Sequence, residues 1–376
     1  MLARHAHEEH RTATTLELFF DLCFVVAVGR AGAALHHALA ENDVGHGVFN
    51  YLFVFFAIWW AWLQFTWFAS AYDTDDVSYR LAVLVQIAGG LVIAAGVERA
   101  FEGNFAIMVA GYVLMRLAAV TQWVRAARGD PERRGTALRY AIGIAVLQIA
   151  WIARLAVPAA WLVPSFLAAV VAELAVPVWA EQAAHTPWNA HHIAERYGCF
   201  TLIVLGETVV GATSAIEEGL QEGHHVGTLV SVAVAGLVIV FSMWWLYFDQ
   251  PAHKRLTSFG KAVVWGYGHY FIFAAAAAVG AGMEVAVDYD THKGHLAHLP
   301  AGLAIPLPVA IYLISVWLLH IGPSNECRPI AIGFPVAALL VLAAAFSPAP
   351  VHITAAITAG LVALVVVVTR GHPIDA

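Results

Sequence analysis

Twelve apolar stretches of about twenty residues run through this chain, and they constrain its fold more than any single motif. Because a helix of about 20 apolar residues crosses the ~30 Å hydrocarbon core of a bilayer, each stretch predicts one transmembrane helix. The stretches are too long, and alternate too irregularly, for the strands of a membrane β-barrel. The sequence therefore predicts an all-α, polytopic membrane helix bundle, with spans near 17–40, 48–70, 79–98, 104–127, 137–157, 160–180, 195–216, 226–249, 262–286, 300–320, 330–346 and 350–369.

The composition indicates the same environment. Hydrophobic residues make up 61% of the chain and charged residues 12%, whereas soluble domains are nearer ~45–50% and ~25%. A formal net charge of −7 without a basic tract argues against nucleic acid as a partner. The three cysteines show no CxxC spacing, so neither a disulfide framework nor a thiolate metal site is indicated. We expect the lipid bilayer as a partner, and neither a metal nor another cofactor.

The basic residues predict an orientation. With the N-terminus placed inside, fourteen of the nineteen Lys and Arg residues fall in inner segments, and three fall in outer ones. The excess of positive charge in the cytoplasmic loops of membrane proteins then places both termini in the cytoplasm. Residues 1–14 are expected to form a polar cytoplasmic leader, and residues 371–376 a cytoplasmic tail.

The first six spans and the last six repeat one another in order. Trp-rich runs recur in spans 2 and 8, where we interpret the aromatic side chains as helix packing. Span 3 ends with AGVE at 95–98, and span 9 ends with AGME at 281–284. Because six is an even number, the second half inserts the same way up as the first, so the repeat is parallel. We expect two six-helix halves, 15–182 and 183–370, with a site at the seam between them.

Two motifs resemble those of a known family. Span 1 begins with TLELFFDLCFV at residues 15–25, and span 7 begins with HIAERYGCFTLIVLGE at residues 192–207. As a pair they resemble the bacterial low temperature requirement A family, and the resemblance extends over nearly the whole chain. It implies a multi-pass protein of the bacterial inner membrane. The family is named for a cold-growth phenotype, so the resemblance implies no particular reaction.

Glu17 and Asp21 are candidates near the inner surface. Ionisable side chains inside a span cost about 2.5–3.5 kcal/mol at the helix centre, so those that persist mark functional sites. The two acids are four residues apart and share a helix face. They are interpreted as a carboxylate pair for a proton or a cation. For Glu17 the alternative is structural, because residues 14–17, TTLE, fit a capping box.

A further candidate at the inner mouth is the face that His192, Glu195 and Arg196 form at spacings of three and four. One interpretation is a polar gate or a proton relay. The other is an ordinary ion pair at the start of span 7. The residues alone leave both open.

Four deeper charges predict two pairs on a substrate or ion pathway. Arg30 and Glu207 occupy equivalent positions in spans 1 and 7, so they would meet near mid-membrane if both spans adjoin the pseudo-two-fold axis. A purely structural lock is the alternative for this pair. Arg116 and Glu173 are candidates for a second pair within the first half.

Three functions fit these features. The favoured one is proton-coupled secondary transport of a small solute or ion, because the repeat and the intramembrane charges are typical of transporters. An intramembrane lipid-modifying enzyme is disfavoured, since neither a G-x-S-x-G elbow nor an H-E-x-x-H motif is present. A non-catalytic membrane sensor or cold-adaptation factor is the third. The prediction is a transporter that is not an enzyme.

Overall fold

The structure, a computed structural model, describes residues 1, 3–4, 8, 11–221, 226–291, 296–322 and 327–370. Within these ranges every regular element is helical and no strand occurs, which confirms the predicted all-α class. The α-helices are α1 (Thr15–Ala40), α2 (Val44–Tyr72), α3 (Val77–Phe101), α4 (Ala106–Gly129), α5 (Arg134–Ala153), α6 (Leu162–Glu181), α7 (Ala190–Gln221), α8 (Val226–Phe248), α9 (Phe259–Asp290), α10 (His298–Leu303), α11 (Pro306–Val316), α12 (Arg328–Ala344) and α13 (Pro350–Arg370).

Ten helical segments of the described chain are long and apolar enough to cross a membrane. α10, α11 and a π-helical turn at Trp317–Ile321 count among them as one segment, His298–Ile321. α7 and α12 are not among the ten; α12 is apolar but has 17 residues. The predicted membrane class is confirmed, whereas the count of twelve spans and the parallel repeat stay predictions.

The helices carry large apolar side chains on their outer surfaces. Ile149, Val171 and Leu339 are each 67% exposed. Monomeric soluble proteins rarely expose extensive apolar patches, whereas side chains of this kind contact the acyl chains of lipids. The protein would therefore sit in a lipid bilayer, as the composition predicts.

The chain divides into two compact units, each built from two segments. The first unit contains Met1–Arg30 and Phe56–Cys199, and the second contains Ala31–Phe55 and Phe200–Ala376. These units are defined by packing and differ from the predicted halves, which are defined by sequence repetition and stay a prediction. Part of the predicted leader and the whole of the predicted tail lie outside the described residues.

α3 begins at an acidic cap outside the membrane segment. Asp76 accepts a hydrogen bond from Tyr79 N at 2.8 Å, and Arg125 Nη2 lies 2.6 Å from its carboxylate. The backbone amide of Tyr79, helped by Arg125 and Thr74, lowers the pKa of Asp76 below its usual value. The cap therefore stays ionised at neutral pH, where a carboxylate at a helix N-terminus stabilises the helix.

Candidate functional site

α1 begins with the capping box predicted from residues 14–17. Thr14 N donates to Glu17 Oε2 at 2.7 Å, and Glu17 N donates to Thr14 Oγ1 at 3.3 Å. Two backbone amides near the start of the helix are thereby satisfied. Glu17 therefore caps α1 as predicted. The same carboxylate is only 1% exposed and also contacts a side chain of α7.

Asn189 sets the start of α7 and with it the position of His192. Its side-chain oxygen accepts a hydrogen bond from His192 N at 3.0 Å, which is the usual contact of an N-cap residue. Ser70 Oγ of α2 accepts from Asn189 N at 3.1 Å and holds the cap in place. His192 Nε2 then lies 3.1 Å from Glu17 Oε1, and the imidazole is 0% exposed.

A second acid–base pair lies one helical turn further along α1 and α7. Arg196 Nη2 is 2.6 Å from Asp21 Oδ1, and both side chains are 0% exposed. Trp62 Nε1 donates to the same Asp21 oxygen at 2.7 Å. Thr66 Oγ1 accepts from Arg196 Nη2 at 3.4 Å. Two helices thus bring an acid and a base together twice in direct contact.

We call Glu17, Asp21, His192 and Arg196 the α1–α7 cluster. Arg196 Nη1 links its two pairs, at 3.9 Å from Glu17 Oε1. Within the described chain, Asp21 Oδ2, His192 Nδ1, and Arg196 Nε and Nη1 make no hydrogen bond. Buried polar atoms normally have partners, and exceptions are frequent where a water, an ion or a substrate binds. A carboxylate in contact with an imidazole can also exchange a proton.

Glu173 and Arg116 form the second pair that the sequence proposes for the first half. Arg116 Nη2 lies 2.8 Å from Glu173 Oε1, with the two side chains 4% and 1% exposed. The indole nitrogens of Trp60 and Trp151 each donate to Glu173 at 2.9 Å, and Gln64 Nε2 lies at 3.4 Å. The Glu173 carboxylate therefore accepts hydrogen bonds from four protein side chains.

A small, mostly apolar cavity adjoins Arg116, and its lining includes the polar side chains of Gln64, Gln86 and Tyr112 beside Met115. Its volume of about 20 Å³ is enough for one water molecule. Arg116 Nη1 makes no hydrogen bond to the described residues, so it is available to such a molecule. The Arg116–Glu173 pair therefore borders a cavity that can hold a water molecule.

The remaining candidates are placed differently. Arg30 Nη1 pairs with Glu98 at 2.9 Å, and the two side chains are 58% and 69% exposed. Glu207 belongs to the other unit, so the predicted Arg30–Glu207 pair stays a prediction. Glu195 is half-buried and takes part in none of the salt bridges found among the described residues.

Sequence reasoning missed the tryptophans that serve the buried acids. Trp60 and Trp62 of α2 are at most 1% exposed, and both donate to carboxylates rather than only packing. One feature of the sequence could have indicated these contacts. A buried indole N–H usually finds a hydrogen-bond partner, and the acids of other spans, here Glu173 and Asp21, are suitable acceptors.

Comparison with known proteins identifies the family. The model of the family "Bacterial low temperature requirement A protein (LtrA)" matches residues 12–368. The chain belongs to the LtrA family. The match includes all four residues of the α1–α7 cluster, and it confirms the resemblance seen in the two motifs.

The chain is also similar to an uncharacterized protein of Rhizobium meliloti (strain 1021). It is 26% identical to this chain over 394 residues, an alignment that covers 97% of this chain and 90% of the relative. No solved structure matches the chain. Family membership thus supports a bacterial membrane protein and leaves the activity to be inferred from the site.

Proposed function

We propose that this LtrA protein is a proton-coupled secondary transporter of a small solute or ion, and not an enzyme. The observation that carries the proposal is the contact between Glu17 and His192 inside a fully buried cluster. Burial of four ionisable groups is costly unless they are paired or serve a function. A purely structural pair would need only Asp21 and Arg196, whereas the carboxylate–imidazole contact adds a second acid–base pair that can exchange a proton.

The proposed architecture has twelve spans arranged as a parallel six-plus-six repeat, in the bacterial inner membrane, with both termini in the cytoplasm. The distribution of Lys and Arg supports this orientation. α7 and α12 would be the two spans beyond the ten that length and hydropathy select. α7 carries Glu195, Arg196 and Glu207, and these charged residues lower its mean hydropathy. Charged residues of this kind are expected in a span that lines a transport pathway.

The test measures coupled flux in proteoliposomes that contain a pH-sensitive dye. Alkali cations, amino acids and small organic acids are added outside one at a time. We expect at least one of them to drive proton movement through the wild-type protein. Asp21→Asn and Glu207→Gln are expected to abolish this movement, while Glu41→Gln, an exposed acid with a side chain 66% accessible, leaves it unchanged.

Two results would contradict transport. One is that no solute moves protons through the wild-type protein. The other is that folded Asp21→Asn and Glu207→Gln proteins both give wild-type flux. Lipid turnover by the purified protein, lost in the same variants, would instead favour the enzyme. A stoichiometric partner protein without measurable flux would favour the sensor.

A further inference from the structure

A separate group of buried polar side chains lies in the second unit and shares no residue with the sites above. His269 of α9 and His320 of the π-helical turn face each other, with their Nε2 atoms 3.3 Å apart. Tyr247 of α8 joins them, with its Oη 3.1 Å from His269 Nε2. The three residues are 0%, 2% and 3% exposed in that order.

The hydrogen bonds define which His269 nitrogen is available. His269 Nδ1 lies 2.7 Å from the backbone oxygen of Trp265. A carbonyl can only accept, so Nδ1 carries the hydrogen and Nε2 presents its lone pair. That lone pair points at both Tyr247 Oη and His320 Nε2. Three polar groups therefore converge on one point.

His320 cannot satisfy both of its nitrogens with the described protein groups. Its Nδ1 makes no hydrogen bond there, although the backbone carbonyl of Tyr247 is close to the ring. If Nε2 carries the hydrogen, the Nδ1 lone pair is left alone. If Nδ1 carries it, the Nε2 lone pair opposes that of His269. Either arrangement leaves a buried polar atom unsatisfied, which is unfavourable.

We propose that His269, His320 and Tyr247 bind a transition-metal ion of the zinc class. Two nitrogens bound to a tetrahedral ion at about 2.0–2.1 Å are about 3.3–3.4 Å apart, and the observed separation is 3.3 Å. The bond from His269 Nδ1 to a backbone carbonyl is the contact that orients metal-bound histidines. An ion at the centre uses both Nε2 lone pairs and leaves Nδ1 of His320 to carry the ring hydrogen.

Tyr247 supplies the third donor. On binding it loses its phenolic proton to water, and the phenolate offsets one charge of the ion. No third His, Cys, Asp or Glu of the described chain completes the group, so the fourth position takes water or an external ligand. Such an open position is typical of catalytic and exchangeable sites rather than structural ones. Imidazole ligands favour zinc, copper, nickel or cobalt over magnesium or calcium.

The backbone around His320 is irregular in a way that fits a site. Residues Trp317–Ile321 form a π-helical turn, which Gly322 ends with a φ of +77°. Arg255 donates to the backbone oxygen of Ile321 and holds this end in place. π-turns re-aim a side chain and are frequent at functional sites.

The test titrates the full-length, detergent-purified protein with Zn²⁺ and Co²⁺ after EDTA treatment. We expect one tightly bound ion per chain, and visible absorption from tetrahedral Co²⁺. His269→Asn and His320→Asn are expected to weaken this ion at least about 100-fold, because losing even an outer-shell partner costs about 10–100-fold. Tyr247→Phe weakens it about tenfold or more. His37→Asn is the matched control, since His37 is 76% exposed.

A second measurement needs no histidine variant, so misfolding of a variant cannot explain its result. The Trp265 ring centre lies 4.0 Å from that of His269, so bound Co²⁺ is expected to quench Trp265 fluorescence in otherwise wild-type protein. Trp265→Phe removes the quenched component. The proposal is overturned if wild-type protein binds no stoichiometric ion, or if folded His269→Asn and His320→Asn proteins keep full affinity. A histidine pair that merely shares a proton gives the first of these results.

Discussion

Replacing Arg196 by Leu is expected to lower the free energy of unfolding by about 3–5 kcal/mol, because it leaves the buried Asp21 carboxylate without its counter-charge. Asp21 is 0% exposed, and among the described residues only Trp62 Nε1 would still donate to it. Reversible unfolding of the purified protein in mixed micelles measures the change. The matched control is Arg30→Leu, since the Arg30–Glu98 pair is exposed and is expected to contribute less than about 1 kcal/mol.

Removing both charges separates the cost of an orphaned group from the value of the pair. The double variant Asp21→Leu/Arg196→Leu is expected to regain most of the lost stability, because apolar replacements of a buried pair are often neutral. It is also expected to be inactive in the flux assay. If Arg196→Leu costs no more than Arg30→Leu, the buried Asp21 carboxylate does not need Arg196 as its counter-charge.

Glu17→Gln is expected to reduce solute-driven proton flux to that of protein-free liposomes. Its effect on stability is expected to be smaller than that of Arg196→Leu, because the amide is uncharged and nearly isosteric, and its oxygen can still accept the hydrogen bond from Thr14 N. A glutamine cannot carry a proton between His192 and solvent. The measurement is the dye-based flux assay, run beside thermal unfolding of the same preparation.

Thr14→Ala is the complementary variant, because it removes the other half of the capping box and leaves the carboxylate intact. It is expected to cost about 0.5–2 kcal/mol of stability and to keep its flux. If the two variants lose flux and stability in parallel, Glu17 acts only as a cap. That pattern would remove the proton role from the α1–α7 cluster.

The sequence predicts the helices well, because the backbone of an apolar run of this length can satisfy its hydrogen bonds in lipid only as a helix. It also predicts the Arg116–Glu173 pair, since a buried charge needs a partner. For Glu17, the structure has the hydrogen bonds of the predicted capping box. The carboxylate also contacts His192, which neither interpretation of the sequence names, and its pairing with Asp21 for a proton or a cation stays a prediction.

Other contacts depend on helix packing that the sequence does not contain. Trp62 belongs to an aromatic run that is read as packing, and only the rotation of α2 turns its indole N–H to Asp21. His269 and His320 are 51 residues apart on separate helices, and a π-turn aims one of them. Arg30 pairs with Glu98 because α1 and α3 pack against each other within the first unit.

Glu17 and Asp21 are expected to exchange protons with water although they are buried in the membrane-embedded protein. Dicyclohexylcarbodiimide, which enters bilayers and reacts with protonated carboxyl groups, tests this directly in proteoliposomes. We predict that peptide mass spectrometry finds Glu17 or Asp21 modified, faster as the pH falls, with a matching loss of flux. If both residues stay unmodified at every pH while flux persists, protons do not pass through this cluster.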